Sequence, residues 1–220
     1  MKNYKTMKYL LAGLLSFGFF TTLVAQQLDS LDIKLGQMLM VGYTGKSIAP
    51  DDPLLKEIED GLVGGVILFE KNIAPKNSYV ELKRLTWQMH QKATIPLFMA
   101  IDQEGGRVNR LKPKYGFPPS VSAAYLGKQP LDSTKFYAEL TATTLAGLGF
   151  NVNFAPVVDL AINPDNPIIA GVERAYSADP METVKRAEIV INTHRQYNLV
   201  TALKHFPGHG SSENDTHLGI

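Results

Sequence analysis

Five short apolar runs recur along this chain with helically spaced stretches between them, and that alternation constrains the fold more than any other feature. The runs are residues 37–42, 66–69, 95–101, 152–158 (interrupted by Pro156) and 200–203. Each is almost continuously apolar, as expected of strands buried on both faces of a parallel sheet. Residues 77–92 place Tyr79, Leu82, Leu85 and Met89 on one helical face, and residues 134–148 stop at Gly149, a suitable helix terminator. Asp179-Pro180-Met181-Glu182 supplies an N-cap, a first-turn proline and an early acid. The helix it opens is expected to turn Val184, Ala187, Ile191 and His194 to one side. Strand–helix–strand repetition implies right-handed βαβ units and an α/β fold.

A doubly wound sheet and a (β/α)8 TIM-type barrel both satisfy this pattern. No G-x-G-x-x-G lies between a strand and a helix, so the dinucleotide-binding version has no support. Polar residues follow the apolar runs directly: Asp102 the third, Asp159 the fourth, Lys204-His205 the fifth. Barrel enzymes carry their chemistry at that place. A whole barrel takes about 250 residues. The expectation is therefore a TIM-type barrel truncated at the C-terminus and occupying residues 26–220.

Residues 1–25 have a different character. Lys2, Lys5 and Lys8 precede an uncharged stretch at 9–24, then Ala25 and the polar pair Gln26-Gln27. A basic start, a short apolar centre and a small residue at the break form a secretory signal peptide. The apolar stretch is shorter than the roughly 20 residues of a spanning helix, so no stable membrane span is expected after cleavage. With no cysteine in the chain, lipid anchoring at a cysteine, disulfides and a thiol nucleophile are excluded. The expected location is periplasmic or extracellular. The formal charge of +1 excludes a nucleic-acid partner held by bulk charge.

Three of the five histidines, His205, His209 and His217, fall in the loop after the fifth run. Asp215 stands two residues before His217. In an irregular loop a carboxylate so placed can fix the imidazole tautomer and raise its basicity, leaving the other nitrogen to move a proton near neutral pH. Pro207 and Gly208 break the helical face that a metal-binding H-x-x-x-H pair would need. His90 and His194 sit in helical stretches and read as surface or helix-packing residues. In residues 100–110, Asp102 with Arg107 and Arg110 can grip vicinal sugar hydroxyls as acceptor and donors together. The long polar loop at 163–180 offers Arg174 as an anchor, with Glu173 and Asp165 read as exposed.

KHFPGHG at 204–210 followed by Asp215-Thr216-His217 resembles the signature of the β-N-acetylglucosaminidases of glycoside hydrolase family 3, the NagZ-like group. IDQEGGRVNRL, GFNVNFAPVVDL and the Arg174 loop resemble three more of its blocks, in order. The resemblance implies a (β/α)8-type barrel, no cofactor or metal, and retaining hydrolysis of terminal β-linked N-acetylglucosamine from peptidoglycan fragments or chito-oligosaccharides. It implies His217 as general acid/base with Asp215 as its partner, and Asp102, Arg110, Arg174, Lys204 and His205 as sugar-binding positions with Arg107 beside them. The family's nucleophilic Asp is expected downstream of Ile220; Asp159 and Glu104 would be the suspects within this sequence, though the family pattern gives neither that role. Three other readings stay open: a phosphorylase of the same family, a zinc hydrolase using the 205–217 His/Asp cluster, and a non-catalytic sugar-binding fragment.

Overall fold

The computed structural model describes residues 30–215; the expected signal peptide lies outside the described residues. In chain order the elements are α1 (Ser30–Gly36), β1 (Met40–Gly42), α2 (Pro53–Glu59), β2 (Gly65–Leu68), α3 (Ser78–Lys92), β3 (Phe98–Ile101), α4 (Ala123–Gly127), α5 (Leu131–Gly147), β4 (Val152–Asn153), α6 (Pro180–Gln196) and β5 (Val200–Thr201). The five strands form one sheet in the order β1-β2-β3-β4-β5, every pair parallel. Strand order that follows sequence order is barrel-type winding; a doubly wound sheet reverses direction partway. The α/β, TIM-barrel class expected from the sequence is therefore the one observed.

The core lies between this sheet and the helices. Leu82, Leu85 and Met89 of α3 are at most 1% exposed and pack with Val66, Leu68, Met99 and Ile101 of β2 and β3. Each such side chain is worth about 2 kcal/mol of burial. Tyr79 falls at the margin of that face, half exposed, with its ring 6.5 Å from Phe117. Gly149, with φ +86, ends the α5 region as expected.

Two expectations need correction. The fourth run supplies a ladder only at Val152–Asn153, plus a single bridge from Val157 to Lys204. Pro156, which has no N–H to donate, stands between them. The buried face of α6 is also rotated from the expected one. Val184 is 45% exposed, whereas Thr183, Arg186, Ala187, Val190 and His194 are buried. Arg186 belongs on that face because its guanidinium donates to the carbonyls of Gly127 and Gln129 and to Thr134 Oγ1, at 2.9–3.1 Å. A charge with such partners can go inside, which apolar periodicity does not register. Helices α2 and α4, capped by Asp52 and Ser122, also escaped the periodicity argument.

Candidate active site

Parallel strands put all their carboxyl ends on one edge of the sheet, so Asp102 after β3 and Lys204-His205 after β5 meet although about a hundred residues separate them. Lys204 Nζ lies 2.8 Å from Asp102 Oδ1 and 2.6 Å from Glu104 Oε1. Arg174 closes on Glu104 with two bonds, Nε to Oε2 and Nη2 to Oε1, both 2.8 Å. Arg110 Nη2 stands 3.6 Å from Asp102 Oδ2, its guanidinium 5.7 Å from the centre of the Phe69 ring. Exposure rises from Glu104 (7%) through Arg174 and Lys204 to Asp102 (19%) and Arg110 (26%). Glu104 is thus the floor of this mesh, while Asp102 and Arg110 form its open face. Burial works against the Arg174 charge, but the Glu104 pair outweighs it and raises the pKa above the ordinary arginine value.

Asp159 organises the loop after β5. Its side chain is fully buried, and both oxygens are occupied. Oδ2 takes the His205 amide at 3.2 Å and pairs with His205 Nδ1 at 2.6 Å, and Oδ1 accepts the His209 amide at 2.6 Å. His205 Nε2 faces Arg174 Nη2 at 3.3 Å. Since a guanidinium only donates, these partners assign the proton to Nδ1 and leave Nε2 as an acceptor. A divalent ion on that nitrogen would sit against the Arg174 charge, which weighs against the zinc reading. Asp159 and Glu104, the two nucleophile suspects, have both carboxylate oxygens engaged and almost no exposure.

An uncharged scaffold supports the mesh. Gln103 Oε1 accepts the amides of Arg110 and Leu111, and its Nε2 donates to Asn109. Asn153, wholly buried at the end of β4, takes the Gln103 amide at 3.1 Å and donates back to the Gln103 carbonyl. Its amide nitrogen also lies 3.1 Å from His194 Nε2, while His194 Nδ1 bonds the Val190 carbonyl. Burial lowers the His194 pKa, favouring the neutral ring that this arrangement requires. Gly105 permits the turn between Glu104 and Arg107: its φ is +100, and a Cβ there would come 2.3 Å from the Val121 carbonyl oxygen.

Of the residues expected here, Asp102, Arg110, Arg174, Lys204 and His205 come together. Arg107 is exposed on the glycine turn and makes no ion pair among the described residues. Glu173 and Asp165 are exposed, as expected. His90 bonds the Gly149 carbonyl and His194 packs inside α6, the latter also bracing Asn153. Asp215 is the last described residue and is half exposed; His217 lies outside the described residues. Gln103, Asn153 and Asn166 were not anticipated, and Glu104 and Asp159 only as nucleophile suspects. A signal for Asn153 existed: an amide inside an otherwise apolar strand must have buried partners.

A sheet wound in one direction, with carboxylates and cations interleaved at the carboxyl ends of its strands, is the arrangement of a barrel of the (β/α)8 type. The chain belongs to glycosyl hydrolase family 3: the description "Glycosyl hydrolase family 3 N terminal domain" matches residues 30–220. Beta-hexosaminidase A of Pseudoalteromonas piscicida is 35% identical over 206 residues, covering 84% of this chain and 34% of its own. Beta-hexosaminidase of Hydrogenovibrio crunogenus is 34% identical over 189 residues, covering 83% and 50%. Among solved structures, a glycoside hydrolase family 3 beta-N-acetylglucosaminidase from Paenibacillus superposes with TM-score 0.75 at 31% identity, covering 86% of this chain and 35% of that one. NagZ from Neisseria gonorrhoeae gives 0.73 at 27%, covering 83% and 52%. The chain thus spans from about a third to about half the length of these relatives.

Proposed function

We propose that the protein is an exported glycoside hydrolase that removes terminal β-linked N-acetylglucosamine from peptidoglycan fragments or chito-oligosaccharides with retention. The observation that carries this reading is the mesh of Asp102, Lys204, Glu104, Arg174 and His205 at the strand ends, in a chain whose relatives bear the names beta-hexosaminidase and beta-N-acetylglucosaminidase. Asp102 Oδ2 is only loosely held by Arg110, so it can accept a sugar hydroxyl while Arg110 and Lys204 donate to its neighbours. His205 Nε2 accepts from Arg174 and so orients that guanidinium. Asp215 and His217 act as the acid/base pair that protonates the departing oxygen, and a carboxylate downstream of Ile220 acts as nucleophile, about 5 Å from the acid as retention requires. Export is supported by the sequence pattern of residues 1–25.

The test is His217→Ala in the full-length protein. Turnover of an N-acetylglucosaminyl disaccharide should fall about 10²- to 10⁴-fold, the usual share of general acid catalysis. An aryl glycoside with a good leaving group should suffer less. Unchanged disaccharide turnover would remove His217 from the mechanism. N-terminal sequencing of secreted protein should begin near Gln26; intact Met1 in the soluble exported fraction would refute export.

A further inference from the structure

Asn166 is fully buried, and its side chain joins two loops. Oδ1 accepts the amides of Ile168 and Ile169 at 2.9 and 2.6 Å, turning its own loop. Nδ2 points the other way, to the His209 carbonyl at 2.7 Å and to Ser212 O and Oγ, both at 3.0 Å. Asn163 repeats the device: Oδ1 takes the Asp165 amide, Nδ2 donates to Ser212 O at 3.0 Å, and its backbone N–H reaches the Gly210 carbonyl. Both asparagines directly precede prolines, Pro164 and Pro167, which restrict the backbone that carries the amides. The gripped segment has little room to slide, because a Cβ on Gly210 would lie 1.9 Å from the Leu160 carbonyl oxygen. Three residues past Ser212 stands Asp215.

We propose that Asn166, seconded by Asn163, is a positioning residue: by clamping Ser212 it sets where the chain departs toward Asp215, the carboxylate assigned above to the acid/base step. This rests on the function proposed above. It predicts that loosening the clamp damages proton delivery rather than sugar binding.

The variants are Asn166→Asp and Asn163→Asp in the full-length protein. Each keeps the Oδ1 acceptor for its own turn and removes the amide donor to Ser212. Asn163 is half exposed, so its variant can hydrate and fold even if a buried carboxylate at 166 cannot. On a disaccharide kcat should fall at least about tenfold, part of the general-acid share. An aryl glycoside with a low-pKa leaving group should lose less than about threefold, with KM also within about threefold. Hydrogen exchange at the amides of residues 211–214 should accelerate while that of α3 does not. Equal losses on both substrates, no loss on either, or unchanged exchange in that segment would overturn the proposal. If the wild-type protein released no N-acetylglucosamine at all, the hydrolase reading would fail, and the exchange measurement would still decide whether the clamp exists.

Discussion

Glu104 and Glu70 each hold two cations, and burial decides which of the two matters to stability. Glu104 is 7% exposed between Arg174 and Lys204. Removing one member of a buried charge network leaves the others uncompensated, a loss of about 3–5 kcal/mol. Glu104→Gln should therefore lower the unfolding free energy by about 3 kcal/mol in urea titration; an unchanged midpoint would mean that the pair is not desolvated. Glu70 bonds Lys112, Lys114 and Tyr115 near the surface. Its carboxyl is pulled down to about 2, chiefly by the Lys112 bond. Its side chain is nevertheless 29% exposed and its lysines more so, and water screens such pairs. Glu70→Gln should change stability by less than about 1 kcal/mol. Whatever it contributes is present above pH 4.5 and disappears as pH falls toward 2, because its folded pKa is depressed.

Helix α6 shows how one element couples packing to the site. Its buried His194 accepts from Asn153, which holds both backbone polar groups of Gln103, whose side chain shapes the Asp102–Arg110 loop. Since burial depresses the His194 pKa, the unfolded chain takes up its proton first as pH falls below about 6.5. Stability from this group is thus complete above that pH and declines below it, by up to about 1.4 kcal/mol per pH unit. His194→Gln, which keeps an acceptor for Asn153, should flatten the curve between pH 6.5 and 5; a slope identical to wild type would acquit His194. The same helix marks the limit of sequence reading. Its start was legible in Asp179-Pro180, because capping chemistry is local. Its buried face was legible only in part: Ala187 and His194 were expected to share a face and are buried, whereas Arg186 is inside for reasons located in α4 and α5. Asp102, Lys204 and His205 were legible because they follow apolar runs that form parallel strands. Gln103 and Asn166 were not, since an uncharged amide in a polar loop looks the same whether it is solvated or fully bonded.

A (β/α)8 barrel closes with eight strands, and the described residues carry five. β1 and β5 therefore each have one hydrogen-bonded neighbour among the described residues. Open strand edges template association, and here apolar side chains accompany them: Met38, Leu39 and Met40 beside one edge, Val200, Leu203 and Phe206 beside the other, with Phe98 on the sheet between. Phe206 is 98% exposed and Met38 81%, far beyond what scattered surface residues need. The matched region makes up 34% and 50% of two relatives' own length. Residues 26–220 expressed alone should accordingly self-associate, bind a hydrophobic dye, and hydrolyse an aryl β-N-acetylglucosaminide no faster than background. The last expectation follows from the site: the two nucleophile suspects, Glu104 and Asp159, are fully engaged, Asp102 is committed to a sugar hydroxyl in the proposed reading, and an oxocarbenium ion without a nucleophile is too costly to form at enzymatic rates. Sedimentation and a dye titration read the first two outcomes, and a timed assay of the purified polypeptide reads the third. A monomer that binds no dye would show that these edges are covered by residues within the chain. Clear turnover with a retained anomer would place a nucleophile inside residues 26–220, and one of the two engaged carboxylates would have to release its partners to serve.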